Sequence, residues 1–120
     1  MGPWLIDVTE RAEIEPWLAG GPPHRAHSVV LVVRGDSPAI RGFIPNALDA
    51  AKIDEKRVVV WIKDPEMLEK PRAQALFGDD ATALAVALSP EGKVACHVTD
   101  DRTRVEDAEF AFAEAEKFNG

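Results

Sequence analysis

Two uninterrupted apolar runs dominate the hydropathy pattern, residues 29–33 (VVLVV) and residues 58–62 (VVVWI). A strand with one solvated face alternates apolar and polar residues, and neither run alternates. Each run is therefore predicted to be a strand buried on both faces, which is typical of a parallel sheet covered by helices. The stretch between them is long enough for one crossover helix, so the two strands are predicted to form a βαβ unit.

Capping residues, glycines and prolines predict three helices in the first two thirds of the chain, at residues 10–20, 38–53 and 65–78. Ser37 is a good N-cap, and Pro38 suits the first helical position because it lacks the N–H that would have no partner there. Asp64 and Pro65 form the same pattern, a cap residue followed by proline, at the start of the third predicted helix. Prolines should interrupt or kink the three helices at internal positions: Pro16, Pro45 and Pro71.

The next segment alternates and predicts an antiparallel hairpin closed by a Ser-Pro-Glu-Gly turn. Over residues 82–88, Leu84 and the other large side chains are expected on one face. The alanines would lie on the other face and let a helix approach closely. Over residues 93–99, Val94 and Cys96 are expected to face the core, and this strand is predicted to be an edge.

A last helix is predicted from about residue 104. Its apolar stripe at helical spacing comprises Val105, Ala108, Ala111, Phe112, Ala115 and Phe118. Phe110 falls outside the stripe, among Asp107, Glu114 and Lys117. An outward aromatic is either a singly exposed apolar residue or the centre of an interface. These four residues are therefore the candidate partner-binding site.

The predicted order is β-α-β-α-β-α-β-β-α, an α/β three-layer sandwich with a central mixed β-sheet, formed by residues 1–120 as one domain. This order resembles the thioredoxin fold. Residues 43–49 (FIPNALD) resemble the thioredoxin segment after the active site, where a proline kinks the helix. Residues 76–78 (LFG), 82–86 (TALAV) and 91–95 (EGKVA) resemble the hairpin region of that family.

In this resemblance, the redox Cys-x-x-Cys motif of the family falls on Ser37, Pro38, Ala39 and Ile40, where neither cysteine is present. The family's cis-proline would fall near residues 81–83, where there is no proline. Disulfide exchange needs a thiolate, which a serine hydroxyl cannot supply. The resemblance therefore implies a redox-inactive, thioredoxin-like protein, whose relatives often serve as binding or assembly modules without a cofactor.

The composition of the chain limits the classes of partner that are expected. The formal net charge is −7 and no basic patch is apparent, so nucleic acid is not an expected partner. No apolar stretch is long enough to span a membrane, and no signal-peptide pattern is present, so a cytoplasmic protein is expected. The acidic residues concentrate near the C-terminus, either as a solvated helix face or as a docking surface. The expected partner is another protein or a second copy of this chain.

Candidate catalytic and metal-binding residues are few, which favours a non-enzymatic role. The single cysteine, Cys96, is the basis of one alternative, a redox protein, although its neighbour His97 should point to the opposite face. His24 and His27 lie in a proline-flanked loop without further ligands. The acidic pairs at residues 79–80 and 100–101 are interpreted as turn or cap residues, so no metal is predicted.

A further alternative is a domain that responds to a small anion or a nucleotide. Residues 34–37 lead from a strand end into a helix N-terminus, where anions bind in open α/β sheets, and Arg34 and Ser37 would hold the ligand. The second loop of such a site would contain Asp64 and Pro65. A flavodoxin-like or receiver-like domain of this kind would have an all-parallel sheet.

Overall fold

A computed structural model of the protein describes residues 4–8, 10, 12, 29–78, 83–99 and 105–118. Its strands are β1 (Leu5–Val8), β2 (Val29–Arg34), β3 (Arg57–Ile62), β4 (Ala83–Leu88) and β5 (Val94–Thr99). Its helices are α1 (Pro38–Ala51), α2 (Lys70–Phe77) and α3 (Val105–Lys117), and a 3₁₀ turn spans Pro65–Met67. The helix predicted over residues 10–20 lies almost wholly outside the described residues.

The described strands form one sheet in the order β1-β3-β2-β4-β5. β3 is parallel to both of its neighbours, so that Val59 pairs with Leu5 of β1 and with Leu31 of β2. β4 runs antiparallel to β2 and to β5. The predicted α/β fold with a mixed sheet is confirmed, and the two continuous apolar runs are the adjacent parallel strands β2 and β3.

Helices cover the sheet on both sides. α1 and α3 pack on one face, where Phe43 and Phe112 are fully buried with Leu31, and this side is called the α1–α3 face. α2 packs on the other side, the α2 face, where Phe77 is fully buried with Val30. Burying one such large apolar side chain contributes about 1.5–3 kcal/mol, which explains why strands apolar on both sides lie at the centre.

Local signals place the helix ends. The hydroxyl oxygen of Ser37 accepts a hydrogen bond from the backbone N–H of Ile40 at 3.3 Å, and Pro38 begins α1 as predicted. α1 ends at Ala51, two residues before the expected end, and Ile53 is exposed. The predicted break before Pro71 is confirmed, because a 3₁₀ turn and a separate helix replace one continuous helix.

Two β-bulges between β4 and β5 make the predicted hairpin faces wrong at Ala83, Leu84 and Val94, whereas residues 85–88 alternate as predicted. Ala83 pairs with Thr99 but Ala85 pairs with Val98, so Leu84 is an extra residue in β4. Leu84 therefore packs on the α1–α3 face with Ala85 and Ala87, whereas Ala83 packs on the α2 face. A second register shift separates Val94, which packs on the α2 face, from Cys96, which packs on the α1–α3 face.

The predicted phase of the terminal helix is confirmed, but its buried stripe is shorter than predicted. Its four central stripe residues are buried, namely Ala108, Ala111, Phe112 and Ala115. The two ends of the predicted stripe, Val105 and Phe118, are exposed instead. The small alanines pack in one cluster with Ala85 and Ala87 of β4, so the predicted close approach of a helix to the alanine side of the hairpin is confirmed.

Candidate functional site

The corner formed by residues 34–41 and 61–64 contains the carboxyl ends of β2 and β3, and it is called the strand-end corner. Gly35 adopts a φ of 93°, which a side chain would strain, and this turn leads the chain into α1. Ser37 is occupied as the helix cap, with Pro38 and Ala39 exposed and Ile40 buried behind them. The four positions on which the redox motif of the family would fall thus form an ordinary helix start.

Arg34 and Ser37 are engaged on opposite faces of the sheet. The Arg34 guanidinium lies 4.5 Å from the centroid of the Phe77 ring, and its Nε donates a hydrogen bond to the carbonyl oxygen of Ala83 at 3.0 Å. Both groups belong to the α2 face, whereas Ser37 caps α1 on the other face. The structure therefore does not bring the two predicted anion-binding side chains together, and the anion site stays a prediction.

Two charged residues close to Ser37 in the sequence form an exposed ion pair. Arg41 donates two hydrogen bonds to the carboxylate of Asp36, at 2.7 and 2.9 Å. This bond lowers the pKa of Asp36 and raises the pKa of Arg41. At the second predicted loop, the carboxylate of Asp64 accepts a hydrogen bond from the backbone N–H of Glu66 at 3.0 Å, so Asp64 caps the 3₁₀ turn.

Trp61 and Lys63 connect the ends of the three parallel strands, a feature that the sequence analysis missed. The indole Nε1 of Trp61 donates a hydrogen bond to the carbonyl oxygen of Gly35 at 2.8 Å. The ammonium group of Lys63 lies 2.9 Å from a carboxylate oxygen of Asp7 and 4.6 Å from the centroid of the Trp61 ring. These contacts hold β1, β2 and β3 together where a ligand would enter.

Cys96 is half-buried against α3 rather than fully inside the core. Burial and, secondarily, the Glu114 carboxylate raise the pKa of its thiol from 9.0 to about 11. His97 points to the other face, where its Nε2 lies 2.9 Å from the carbonyl oxygen of Leu76 and donates a hydrogen bond to it. The two side chains therefore form no dyad, and nothing in this arrangement favours a thiolate at neutral pH.

Phe110 lies at the surface beside the edge strand β5, and the residue is 56% exposed. It shares a notch of about 20 Å³ with Cys96, His97, Val98 and Asp107. A volume of that size holds at most one water molecule, so the notch is not a small-molecule pocket. Of the other predicted partner-binding residues, Lys117 is exposed, whereas Asp107 and Glu114 are half-buried.

Arg57 is a buried cation at the opposite end of the sheet, where β3 begins. Its Nη1 donates a hydrogen bond to the carbonyl oxygen of Ala50 at 3.0 Å, and its Nε donates one to the Glu116 carboxylate at 3.2 Å. Its guanidinium also lies 5.1 Å from the centroid of the Phe112 ring. Arg57 thus joins α1, β3 and α3. The only sequence signal was a charged residue directly before a buried strand.

We expect replacement of Arg57 by Met to destabilise the protein by about 1–3 kcal/mol, because the carbonyl of Ala50 loses a buried donor. Arg41→Met is the matched control, since its ion pair is exposed and should contribute nothing measurable. Urea denaturation of the two variants measures the difference. Equal midpoints would contradict a structural role for Arg57.

No three His, Cys, Asp or Glu side chains cluster as metal ligands would in the part of the chain that the structure describes. The candidate pairs His24 with His27, Asp79 with Asp80, and residues 100–101 lie outside the described residues. Among the described helices, none is both long and apolar enough to cross a bilayer.

Two candidate sites therefore remain. The side chains of the strand-end corner are engaged in contacts within the protein, whereas the surface around Phe110 is exposed to solvent. The sequence was also compared with protein-family models and with curated proteins, and the fold was compared with solved structures. None of these comparisons found a match to the chain.

Proposed function

We propose that this protein is a non-enzymatic interaction or assembly module built on a redox-inactive, thioredoxin-like fold. The chain order supports the fold: two parallel strands are joined by a helix that contains Pro45, and an antiparallel hairpin precedes the terminal helix. In such a fold the redox corner would lie at the N-terminus of α1. Ser37 serves there as a cap.

The main support for this proposal is the exposure of Phe110. α3 contains two aromatic residues, two positions apart, and Phe112 is fully buried while Phe110 is mostly exposed. A mostly exposed aromatic contributes little stability to the fold, because most of its apolar surface stays in water. Aromatic residues are enriched at the energetic centres of interfaces, where such surface becomes buried by a partner.

The other functions considered have weaker support. A redox protein acting through Cys96 would need an activated thiol, and the pKa of this thiol is raised. A nucleotide-responsive domain of the flavodoxin-like or receiver-like type would need an all-parallel sheet, whereas β4 and β5 are antiparallel to their neighbours. An anion site at the strand-end corner would need Arg34, whose guanidinium is already engaged with Phe77.

The test is capture of partners from a native cell extract by three immobilised proteins: the wild type, Phe110→Ser and Phe118→Ser. Phe118 is the matched control because it is on the same helix and 53% exposed. We expect Phe110→Ser to reduce the captured partner about tenfold or more and Phe118→Ser to retain it, since loss of an aromatic anchor costs about 2 kcal/mol or more.

Thermal unfolding of both variants provides the stability control, and neither should differ measurably from the wild type, because both side chains are largely in water. The proposal would be contradicted if the wild type captures nothing and remains a monomer at micromolar concentration in size-exclusion chromatography. Equal capture by all three proteins would show that Phe110 is not the anchor.

A further inference from the structure

The edge strand β5 has an unpaired outer edge within the described part of the sheet. Its six residues, VACHVT, include no proline and no lysine, arginine or carboxylate. Edge strands that must not pair with other chains are usually protected by charged residues, prolines, β-bulges or a covering segment. Among the described residues, β5 shows only the register shift beside Val94, which leaves Cys96 to Thr99 regular. The side-chain chemistry of β5 therefore leaves its backbone donors and acceptors suited to pairing with an added strand.

The two faces beside this edge differ in chemistry. On the α1–α3 side stands Phe110, on a helix with five acidic residues and one lysine, a net charge of −4. On the α2 side, a cleft of about 190 Å³ lies between α2 and the start of β5. Ala75, Leu76 and Val94 form much of its lining, with Arg72 and Gly92 completing it. One face is acidic and aromatic, and the other is mainly apolar.

We propose, on the basis of the interaction function above, that β5 binds an extended segment of another protein by strand addition, and that this segment alternates basic and apolar residues. An added strand would lie about 4.8 Å beyond β5, with successive side chains on opposite faces. Arginines would point to the α1–α3 side, over Phe110 and near the acidic residues of α3. The apolar side chains would point to the cleft beside Leu76.

The negative charge of the chain favours another protein, rather than a second copy of this chain, as the binding partner of β5. Pairing of β5 with the β5 of a second copy would bring together two chains that each carry a net charge of −7. In an antiparallel pair related by a twofold axis perpendicular to the sheet, the two α3 helices would lie on the same face, with like charges beside each other. A basic segment instead brings opposite charge to α3, whose five acidic residues outnumber its single lysine.

The probe is a short, fluorescently labelled peptide of alternating arginine and valine, titrated into the full chain at low salt. Two control peptides have the same arginine and valine content but differ in order or in backbone methylation. One groups all arginines before all valines, and the other carries N-methyl groups on alternate residues, which removes the backbone donors that a strand must offer. We expect micromolar affinity for the alternating peptide, and binding about tenfold weaker or more for each control.

Three further readouts locate the bound peptide. Hydrogen exchange should slow in β5, and the thiol of Cys96 should react more slowly because it shares the notch with Phe110. Phe110→Ser should weaken binding about tenfold, whereas Phe118→Ser should change it less than about twofold. Salt of about 0.3 M should weaken binding, because it screens the charges on α3.

Strand addition is overturned if the N-methylated or the grouped peptide binds as tightly as the alternating one, or if no peptide binds at low salt. A concentration-dependent dimer of the free protein that Phe110→Ser abolishes would show that the occupant is a second copy. If extract capture depends on Phe110 and the peptides do not bind, the interaction function stands and this inference fails. If the peptides bind but the wild type captures no partner, strand addition at β5 stands as a binding property and the proposed assembly function fails.

Discussion

The thiol of Cys96 is expected to react at least about tenfold more slowly in the folded protein than in denaturant, when a neutral disulfide reagent is used near pH 7. The raised pKa of about 11, against 9.0 ordinarily, lowers the thiolate fraction about a hundredfold. The greater nucleophilicity of a more basic thiolate restores about tenfold of this loss. Half-burial against α3 slows the approach of the reagent further.

The pH dependence of the same reaction gives a second readout. In the folded protein the rate should rise with pH up to about 11, whereas in the unfolded chain it should level off near 9.0. An inflection below pH 8, or equal rates with and without denaturant, would contradict this prediction and support the redox alternative.

The pKa shift also predicts a loss of stability in base. As pH rises above 9.0, the unfolded chain releases the thiol proton, whereas the folded protein keeps it until about pH 11. The unfolded state then binds fewer protons than the folded state, so the free energy of unfolding falls across this interval. Cys96→Ala should lack this part of the slope. The chain has no tyrosine to obscure the comparison.

Replacing Phe112 with Ala is expected to destabilise the protein by about 3–5 kcal/mol. The ring is fully buried on the α1–α3 face, where it also supports the guanidinium of Arg57. Removing it leaves a cavity between α1, α3 and the sheet. Because small domains are stable by only about 5–15 kcal/mol, this single change removes a large share of the total.

Phe118→Ala is the control for this prediction, and its effect should stay within about 0.5 kcal/mol, because the side chain is exposed. Urea denaturation followed by tryptophan fluorescence measures both variants. If Phe112→Ala does not fold, Phe112→Leu provides a smaller cavity and a measurable midpoint. Equal losses at both positions would show that the helix phase is wrong.

The main architecture was predictable because it depends on local patterns. The continuous apolar runs of β2 and β3 indicated strands buried on two faces, and Ser37 marked a helix start. The bulges were not predictable, because alternation read along a single strand assumes an unbroken register. Leu84 fits the alternating pattern, but its place as an extra residue depends on how β4 pairs with β5.

The same reasoning explains which parts of the candidate sites were predictable. Phe110 was recognisable from its helical phase alone, since it lies opposite the buried stripe. Arg57 and Lys63 were missed because the partners of long charged side chains are set by tertiary packing between distant segments. The engagement of Arg34 with Phe77 is of the same kind and changes the expectation of an anion site.

The pairing of β1 has a consequence for synthesis of the protein. Within the described sheet, β1 contacts only β3, so Leu5 has no strand partner until Val59 has been made and α1 has crossed over. Contacts between residues so distant in sequence form slowly, while the β4–β5 hairpin joins neighbouring segments. During synthesis β1 therefore emerges before β3, and within the described sheet it stays without a strand partner until β3 follows.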